Sequence, residues 1–179
     1  MDANPADPLP AAPPRPARDI RWYWEDFPVG GVREFGAMAV TREAMLAFAS
    51  EFDPQPFHLD DVAAQASLFG RLSASGWHTC SLAMRMMCDA YLLDSSSLGS
   101  PGLDSLRWTR PVYAGDTLKM RMTTLQARPM VSRPRVGLVL SRWELFNQDG
   151  LLVLTMQGWG MFGRRPPATS APPHAANQP

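Results

Sequence analysis

Two side chains suited to acid–base chemistry lie close together in this sequence. Asp53 and His58 are five residues apart, in a segment where Pro54 and Pro56 predict an irregular, non-helical loop. Gly76 follows at the predicted start of a long apolar helix, whose first backbone N–H groups have no acceptor within the helix. Proton transfer next to a carbonyl group requires a carboxylate and an imidazole beside such donors. This combination predicts an enzyme.

Each of these residues also has a structural interpretation that the sequence leaves open. Asp53 is either an acid–base group or the cap of the next helix, and His58 either acts with it or is a hydrogen-bonded structural residue. Ser75 either contacts the pair or serves only as a helix N-cap. The bulky Trp77 and Phe57 either narrow a pocket beside the pair or pack in the core.

The apolar periodicity predicts an α+β fold in which an antiparallel sheet wraps around a buried helix at residues 75–93. This helix is apolar nearly all round, and its remaining polar stripe is formed by His78, Ser81, Arg85 and Asp89. Alternation in the second half of the chain is clearest at Leu118, Met120 and Met122, which share one strand face. Strands are expected at residues 33–40, 102–111, 117–125, 135–146 and 151–162, with short helices at 41–53 and 60–67. A turn at 147–150 joins the last two strands.

Length and composition predict one domain with two tails. The chain has 179 residues, and residues 1–18 and 165–179 contain 11 of its 18 prolines with few large apolar residues, so both should be disordered. The folded unit is then residues 19–164.

Formal net charge is zero, and the absence of a basic cluster interleaved with aromatics argues against nucleic-acid binding. Residues 101–142 carry eight basic and two acidic side chains, which are either solvated strand positions or a surface for a phosphorylated ligand.

The cysteines and the N-terminus predict a cytoplasmic protein. Cys80 and Cys88 lie in one predicted helix about 12 Å apart, too far for a disulfide, and are expected to be buried thiols in a reducing compartment. Together with His78 they do not match the spacing of any zinc site. No signal peptide and no apolar run of membrane-spanning length is recognised, so no membrane association is expected.

Four segments together resemble the MaoC-like dehydratases, or (R)-specific enoyl-CoA hydratases, of the hotdog fold. Residues 53–58 read DPQPFH, which resembles the family's Asp-x-Asn-Pro-x-His. Residues 69–70 resemble its Phe-Gly, and residues 74–76 resemble its Ala-His/Ser-Gly at the start of the central helix. Residues 110–118 read RPVYAGDTL and resemble its Arg-Pro-Val-x-x-Gly-Asp-x-Leu. The resemblance covers most of residues 25–162.

The resemblance implies a hydro-lyase acting on an acyl-CoA thioester. Asp53 and His58 would hold one water for addition to a trans-2-enoyl group, and the N–H of Gly76 would stabilise the enolate oxygen, with Ser75 and Trp77 beside the substrate. Gln55 stands where the family has Asn and departs from its pattern. The resemblance further implies a homodimer, or a larger homo-oligomer built from dimers, with the site at the subunit interface. Water addition to an activated double bond needs only an acid, a base and an electrophile, so no metal or redox cofactor is expected. A hotdog thioesterase and a non-catalytic acyl-thioester-binding protein are the alternatives.

Overall fold

A computed structural model describes residues 19–167 of the chain. The predicted tails at 1–18 and 165–179 therefore fall outside the described residues, apart from 165–167. In that short stretch, Arg165 donates hydrogen bonds to both carboxylate oxygens of Asp26, at 2.9 and 2.7 Å. Its backbone N–H also donates to Glu25.

The described residues form five strands, four α-helices and a short 3₁₀ helix at Trp24–Asp26. The strands are β1 (Val32–Ala39), β2 (Ser97–Trp108), β3 (Thr117–Pro129), β4 (Val136–Phe146) and β5 (Leu152–Gly163). The helices are α1 (Arg42–Phe52), α2 (Pro56–Leu59), α3 (Asp61–Gln65) and α4 (Gly76–Met87), and a π-helical turn, Cys88–Leu92, extends α4.

The strands form one antiparallel sheet in the order β1-β3-β4-β5-β2. The alternation predicted for β3 is present, because Leu118, Met120 and Met122 are all buried. They belong to the same core as Ala83 and Met86 of α4, so the concave face of the sheet covers one side of this helix. A sheet wrapped around a central helix is the hotdog arrangement, and the predicted α+β class is confirmed.

Local sequence explains where the helices begin. Thr41 caps α1 and Asp60 caps α3, each through a side-chain oxygen that accepts a backbone N–H. Pro54 follows the end of α1, as expected from the restriction that a proline places on the residue before it. Pro56 occupies the first turn of α2, where its missing N–H costs no helical hydrogen bond. The expected non-helical loop is therefore wrong, because Pro56 begins a short helix that carries His58.

Two strands differ from their predicted bounds by more than one residue. β2 begins at residue 97 and ends at 108, five residues before the predicted start and three before the predicted end. Gly99 and Gly102 have φ angles of +102° and +142° there, and the pairing with β5 shifts register around them, which hides the strand from a simple alternation pattern. β3 continues to residue 129, four residues beyond its predicted end.

Three expectations about α4 also needed correction. His78 was placed on a polar stripe but is buried, with its ring stacked on Phe48 at 5.0 Å between ring centroids. Cys80 and Cys88 are only partly buried, although both are free thiols. Trp77 is 58% exposed, so its interpretation as a core residue is wrong. Among residues 19–167, no helix combines the length and apolarity that crossing a membrane would require.

Candidate active site

Asp53 and His58 face each other where α1 ends and α2 begins. His58 Nε2 lies 3.6 Å from Asp53 Oδ2, and the two side chains are 7% and 16% exposed. Asp53 is the C-terminal cap of α1, and its backbone N–H donates to the carbonyl of Ala49. The short link between α1 and α2 brings the carboxylate and the imidazole together without a long-range contact.

The tautomer of His58 follows from its second nitrogen. Nδ1 lies 2.8 Å from the backbone carbonyl oxygen of Ser73, which can only accept, so Nδ1 carries a proton and donates. In the neutral ring, Nε2 is then an acceptor that points toward Asp53. Phe57 and Phe69 pack against the imidazole at 4.6 and 6.0 Å between ring centroids and fix its orientation.

Two side chains donate hydrogen bonds to the Asp53 carboxylate. The Ser75 hydroxyl has the larger effect in lowering the pKa of Asp53 from its ordinary value of 3.8, and the Gln55 amide and His58 add to it against the opposing effect of burial. Gln55 Nε2 lies 2.7 Å from Asp53 Oδ1. Gln55, which departs from the family pattern, is therefore one of the groups that lower the pKa of Asp53.

Ser75 connects the pair to the start of α4. It is the N-cap of this helix, and its Oγ accepts the N–H of Trp77 at 3.2 Å. The same hydroxyl bonds to Asp53, so Ser75 serves both of the roles that the sequence left open. The chain is held here by the carbonyl of Val112, which accepts the N–H of Ala74 at 2.8 Å.

Gly76 begins α4 under the indole of Trp108. An added Cβ at this position would lie 2.6 Å from a ring carbon of Trp108, so a larger residue cannot fit without moving the indole. Trp108 Nε1 donates to the Gly76 carbonyl at 2.9 Å. Glycine thus allows the end of β2 to press directly on the first turn of the helix.

A cavity of about 430 Å³ joins these groups. Its size is typical of a pocket for a small organic ligand. Trp77 and Trp108 stand at its edge in a T-shaped contact, with ring centroids 5.5 Å apart. Its lining is formed by Asp53, Gln55, Phe57, His58, Phe69, Ala74, Gly76, Trp77, Thr79, Trp108, Thr109, Arg110, Pro111 and Val112.

Comparison with known proteins assigns the family. The family model described as "MaoC like domain" matches residues 27–137, which contain all four α-helices, the first three strands and both members of the acid–base pair. The chain belongs to the MaoC-like domain family. The resemblance carried by the sequence motifs is thereby confirmed at the level of the family.

Three relatives show how far this MaoC-like domain extends along the chain. A MaoC-like dehydratase from Rhodospirillum rubrum is 39% identical, covers 81% of this chain and 99% of its own, and superposes with a TM-score of 0.76. An R-hydratase from Pseudomonas aeruginosa shares the fold at 23% identity, with a TM-score of 0.62 over 87% of this chain and 96% of its own. The uncharacterized protein YdeM of Bacillus subtilis (strain 168) is 24% identical over 129 residues, 72% of this chain and 90% of its own length.

Several cavity residues of the MaoC-like domain were not found from the sequence. Trp108 and Thr79 line the cavity, and the Ser73 carbonyl sets the His58 tautomer, yet none belongs to a recognised motif. Arg110 also lines the cavity, and its only sequence signal is its place at the start of the RPV motif. Within residues 19–167, no three His, Cys, Asp or Glu side chains converge as a metal site would require.

Proposed function

We propose that this MaoC-like domain adds water to the double bond of a trans-2-enoyl-CoA thioester and removes water from the 3-hydroxyacyl-CoA product in the reverse direction. The observation that carries the proposal is the Asp53–His58 pair, 3.6 Å apart in a cavity that also contains Gly76 at the start of α4. The similarity to a protein described as a MaoC-like dehydratase, at 39% identity, supports this reaction class.

The pair is suited to hold one water molecule. His58 Nε2 is an acceptor in the neutral ring, because Nδ1 donates to the Ser73 carbonyl. Asp53 Oδ2 is an acceptor because the carboxylate is ionised at neutral pH. A water that donates one hydrogen to each of these atoms satisfies both and turns its own lone pairs toward the cavity.

The ordinary basicities of the two groups favour one direction of proton transfer. A carboxylate is a weaker base than an imidazole, and the hydrogen bonds to Asp53 lower its pKa further, so His58 Nε2 takes the proton as the water oxygen bonds to the β-carbon. The electron pair of the double bond moves to form an enolate on the thioester oxygen. Asp53 stabilises the imidazolium, which then returns the proton from Nε2 to the α-carbon on the same face and regains its neutral form.

The first turn of α4 supplies the enolate site. The N–H of Trp77 is already bonded to Ser75 Oγ, whereas the N–H of Gly76, the first residue of the helix, has no intrahelical acceptor. A donor of this kind contributes about 10²–10³ in rate when it faces the developing oxyanion. The positive end of the helix dipole favours the same charge.

Arg110 is the residue that we expect to meet the coenzyme A phosphates. It lines the cavity and is exposed, and among residues 19–167 only its Nη1 is engaged, by the carbonyl of Leu152 at 2.8 Å. The remaining N–H groups of a guanidinium suit a phosphate. An Arg110→Met variant should raise KM for an acyl-CoA and leave kcat for a short acyl-pantetheine substrate, which lacks the nucleotide, within about twofold.

The second expected partner is another copy of this chain. In the part of the chain that the structure describes, β2 is an edge strand of the sheet and pairs only with β5, and Leu98, Leu103 and Trp108 on it are exposed. An unprotected edge with apolar side chains favours pairing with a second strand. A homodimer joined through β2 would bring the partner beside the cavity, and sedimentation equilibrium should give twice the chain mass.

The proposed function is tested with crotonyl-CoA and longer trans-2-enoyl-CoAs. We expect the enoyl-thioester absorbance to fall without release of free thiol, and 3-hydroxyacyl-CoA to appear as product. Thiol release would instead identify a thioesterase. Binding of the acyl-CoAs with no chemical change, including after Gln55→Asn, would identify a non-catalytic binding protein and overturn the proposal.

A further inference from the structure

Phe69 covers one side of the His58 ring from a segment that has little regular structure. Residues 66–71 form turns and bends after α3 rather than a helix or a strand. The Phe69 ring lines the cavity and stacks on the His58 imidazole, with 6.0 Å between ring centroids and an interplanar angle of 29°. It also contacts Phe57 at 5.4 Å between centroids. Because the neighbouring Leu68 is fully exposed, the position of this turn depends on contacts with other parts of the domain.

Tyr113 supplies a long-range anchor for the turn. Its hydroxyl donates a hydrogen bond to the Phe69 carbonyl at 3.2 Å, across 44 residues of sequence. The guanidinium of Arg71 lies over the Tyr113 ring, 3.6 Å from its centroid, where a cation is attracted to the ring face. Gly70 lies between these two contacts with a φ angle of +68°, which glycine adopts without strain. The turn is therefore attached to one tyrosine on both sides of Gly70.

Tyr113 is itself fixed to the body of the domain. Its backbone N–H donates to Asp116 Oδ2 at 2.9 Å, and the buried Asp116 carboxylate is held in turn by Gln148 Nε2 at 3.1 Å. Tyr113 also forms an antiparallel bridge with Ser73, whose carbonyl accepts the hydrogen bond from His58 Nδ1. Tyr113 thus lies next to two of the groups that orient the imidazole, namely the Ser73 carbonyl and the residue that stacks on the ring.

Tyr113 is not among the described residues that line the cavity, so its hydroxyl influences the reaction through Phe69 rather than through the substrate. We propose that Tyr113 is a positioning residue, whose hydroxyl keeps the Phe69 ring against the His58 imidazole and so holds Nε2 in the orientation that proton transfer requires. This inference rests on the proposed function, in which His58 Nε2 takes the proton from water.

The test measures kcat and KM for crotonyl-CoA in wild type and in Tyr113→Phe, which removes only the hydroxyl. The net free energy of one neutral hydrogen bond corresponds to about fivefold in rate, so kcat should fall by about fivefold while KM stays within about twofold. Tyr23→Phe is the matched control, because Tyr23 also lies under an arginine, Arg165, at 4.8 Å, but lies outside the cavity lining. It should leave both constants within about twofold of wild type. A raised KM with unchanged kcat in Tyr113→Phe would overturn the proposal.

A double-mutant cycle asks whether the hydroxyl acts through the Phe69 ring. In a Phe69→Leu background, Tyr113→Phe should lower kcat by less than about twofold, because the ring that the hydroxyl positions is already absent. In a Trp77→Ala background the loss should remain about fivefold, since the ring contact of Trp77 is with Trp108. Equal losses in wild type and in Phe69→Leu would overturn the proposal, because the hydroxyl would then act by another route.

A second readout needs no substrate. The ring current of Phe69 acts on the carbon-bound protons of His58, whose proton NMR signals are identified among the chain's three histidines by their loss in His58→Asn. Tyr113→Phe should shift these signals in the same direction as Phe69→Leu, and Tyr23→Phe should leave them in place. If Tyr113→Phe does not fold, judged by thermal unfolding, Arg71→Met weakens the same anchor from the other face of the ring and should shift them in that direction too.

The two readouts separate this inference from the proposed function. A wild-type protein that hydrates no enoyl-CoA would end the proposed function, and the His58 signals would still report whether Tyr113 positions Phe69. Unchanged His58 signals in the folded Tyr113→Phe or Arg71→Met variant would overturn the inference even if the wild type is an active hydratase.

Discussion

Replacing Ser75 with Ala removes one hydroxyl that has two partners. Ser75 is 1% exposed, accepts the N–H of Trp77 and bonds to Asp53. Loss of an N-cap hydroxyl costs about 0.5–2 kcal/mol, and loss of a hydrogen bond to a charged group costs about 1.5–3 kcal/mol. Asp53 keeps its bond to Gln55, and its side chain is 16% exposed, so the low end applies. We expect the free energy of unfolding to fall by about 2 kcal/mol.

The chain offers a matched control two residues upstream. Ser73 is also 1% exposed, but its hydroxyl has no hydrogen-bond partner among the described residues, and Ser73→Ala keeps the carbonyl that orients His58. Thermal unfolding followed by circular dichroism should show a decrease in Tm of about 4–8 °C for Ser75→Ala. The Ser73→Ala variant should change the free energy of unfolding by less than about 0.5 kcal/mol.

The contribution of Asp53 to this difference depends on pH. Folding lowers the pKa of Asp53, so the ionised carboxylate contributes its full stabilisation of the folded state above pH 3.8. That stabilisation is lost as the pH falls through the lowered pKa of the folded state. The gap between wild type and Ser75→Ala should therefore narrow in acid. Equal Tm values for the two alanine variants would refute the double role of Ser75, and a gap unchanged in acid would refute its bond to the carboxylate.

Two further predictions concern the neighbours of Ser75. Gln55→Glu replaces the amide donor 2.7 Å from Asp53 with a second carboxylate, and repulsion between the two like charges should raise the pKa of Asp53, measured by carbon NMR of its carboxyl group. Gln55→Asn, which keeps an amide, is the control, and an unchanged Asp53 pKa in Gln55→Glu would contradict the role of Gln55. Gly76→Ala places a methyl group against the Trp108 indole and should lower Tm by several degrees, at about 2–4 °C per kcal/mol, whereas the same change in a Trp108→Ala background should not lower Tm further. An equal loss of Tm in both backgrounds would show that the clash with the indole is not the cause.

Local sequence was sufficient for much of the fold and for the proximity of Asp53 and His58. Leu118, Met120 and Met122 alternate cleanly because one face of β3 is buried on α4, and the strand was found from them. Asp53 and His58 meet through a link of four residues, so their proximity was visible in the sequence. The same spacing predicted a loop, although Pro56 begins a helix, since proline is tolerated in a first helical turn.

What the sequence could not supply depends on contacts between distant segments. Trp108 reaches Gly76 across 32 residues, and no local pattern marks an indole at a strand end as the neighbour of a helix start. His78 occupies a position that periodicity assigned to a polar face, and its burial depends on Phe48 of α1. The start of β2 was missed because glycines at positive φ interrupt its alternation.

The central claim is that Asp53 and His58 act together on one water. Crotonyl-CoA hydration should be measured for wild type, Asp53→Asn, His58→Asn and the double variant, with Asp61→Asn, an exposed carboxylate bound to Arg42, as the control. Each single substitution should lower kcat/KM by about 10²–10⁴, and the double variant should be less than about tenfold slower still, because either loss already disables the pair. Wild-type activity in Asp53→Asn or His58→Asn, or losses that simply multiply in the double variant, would contradict a shared water.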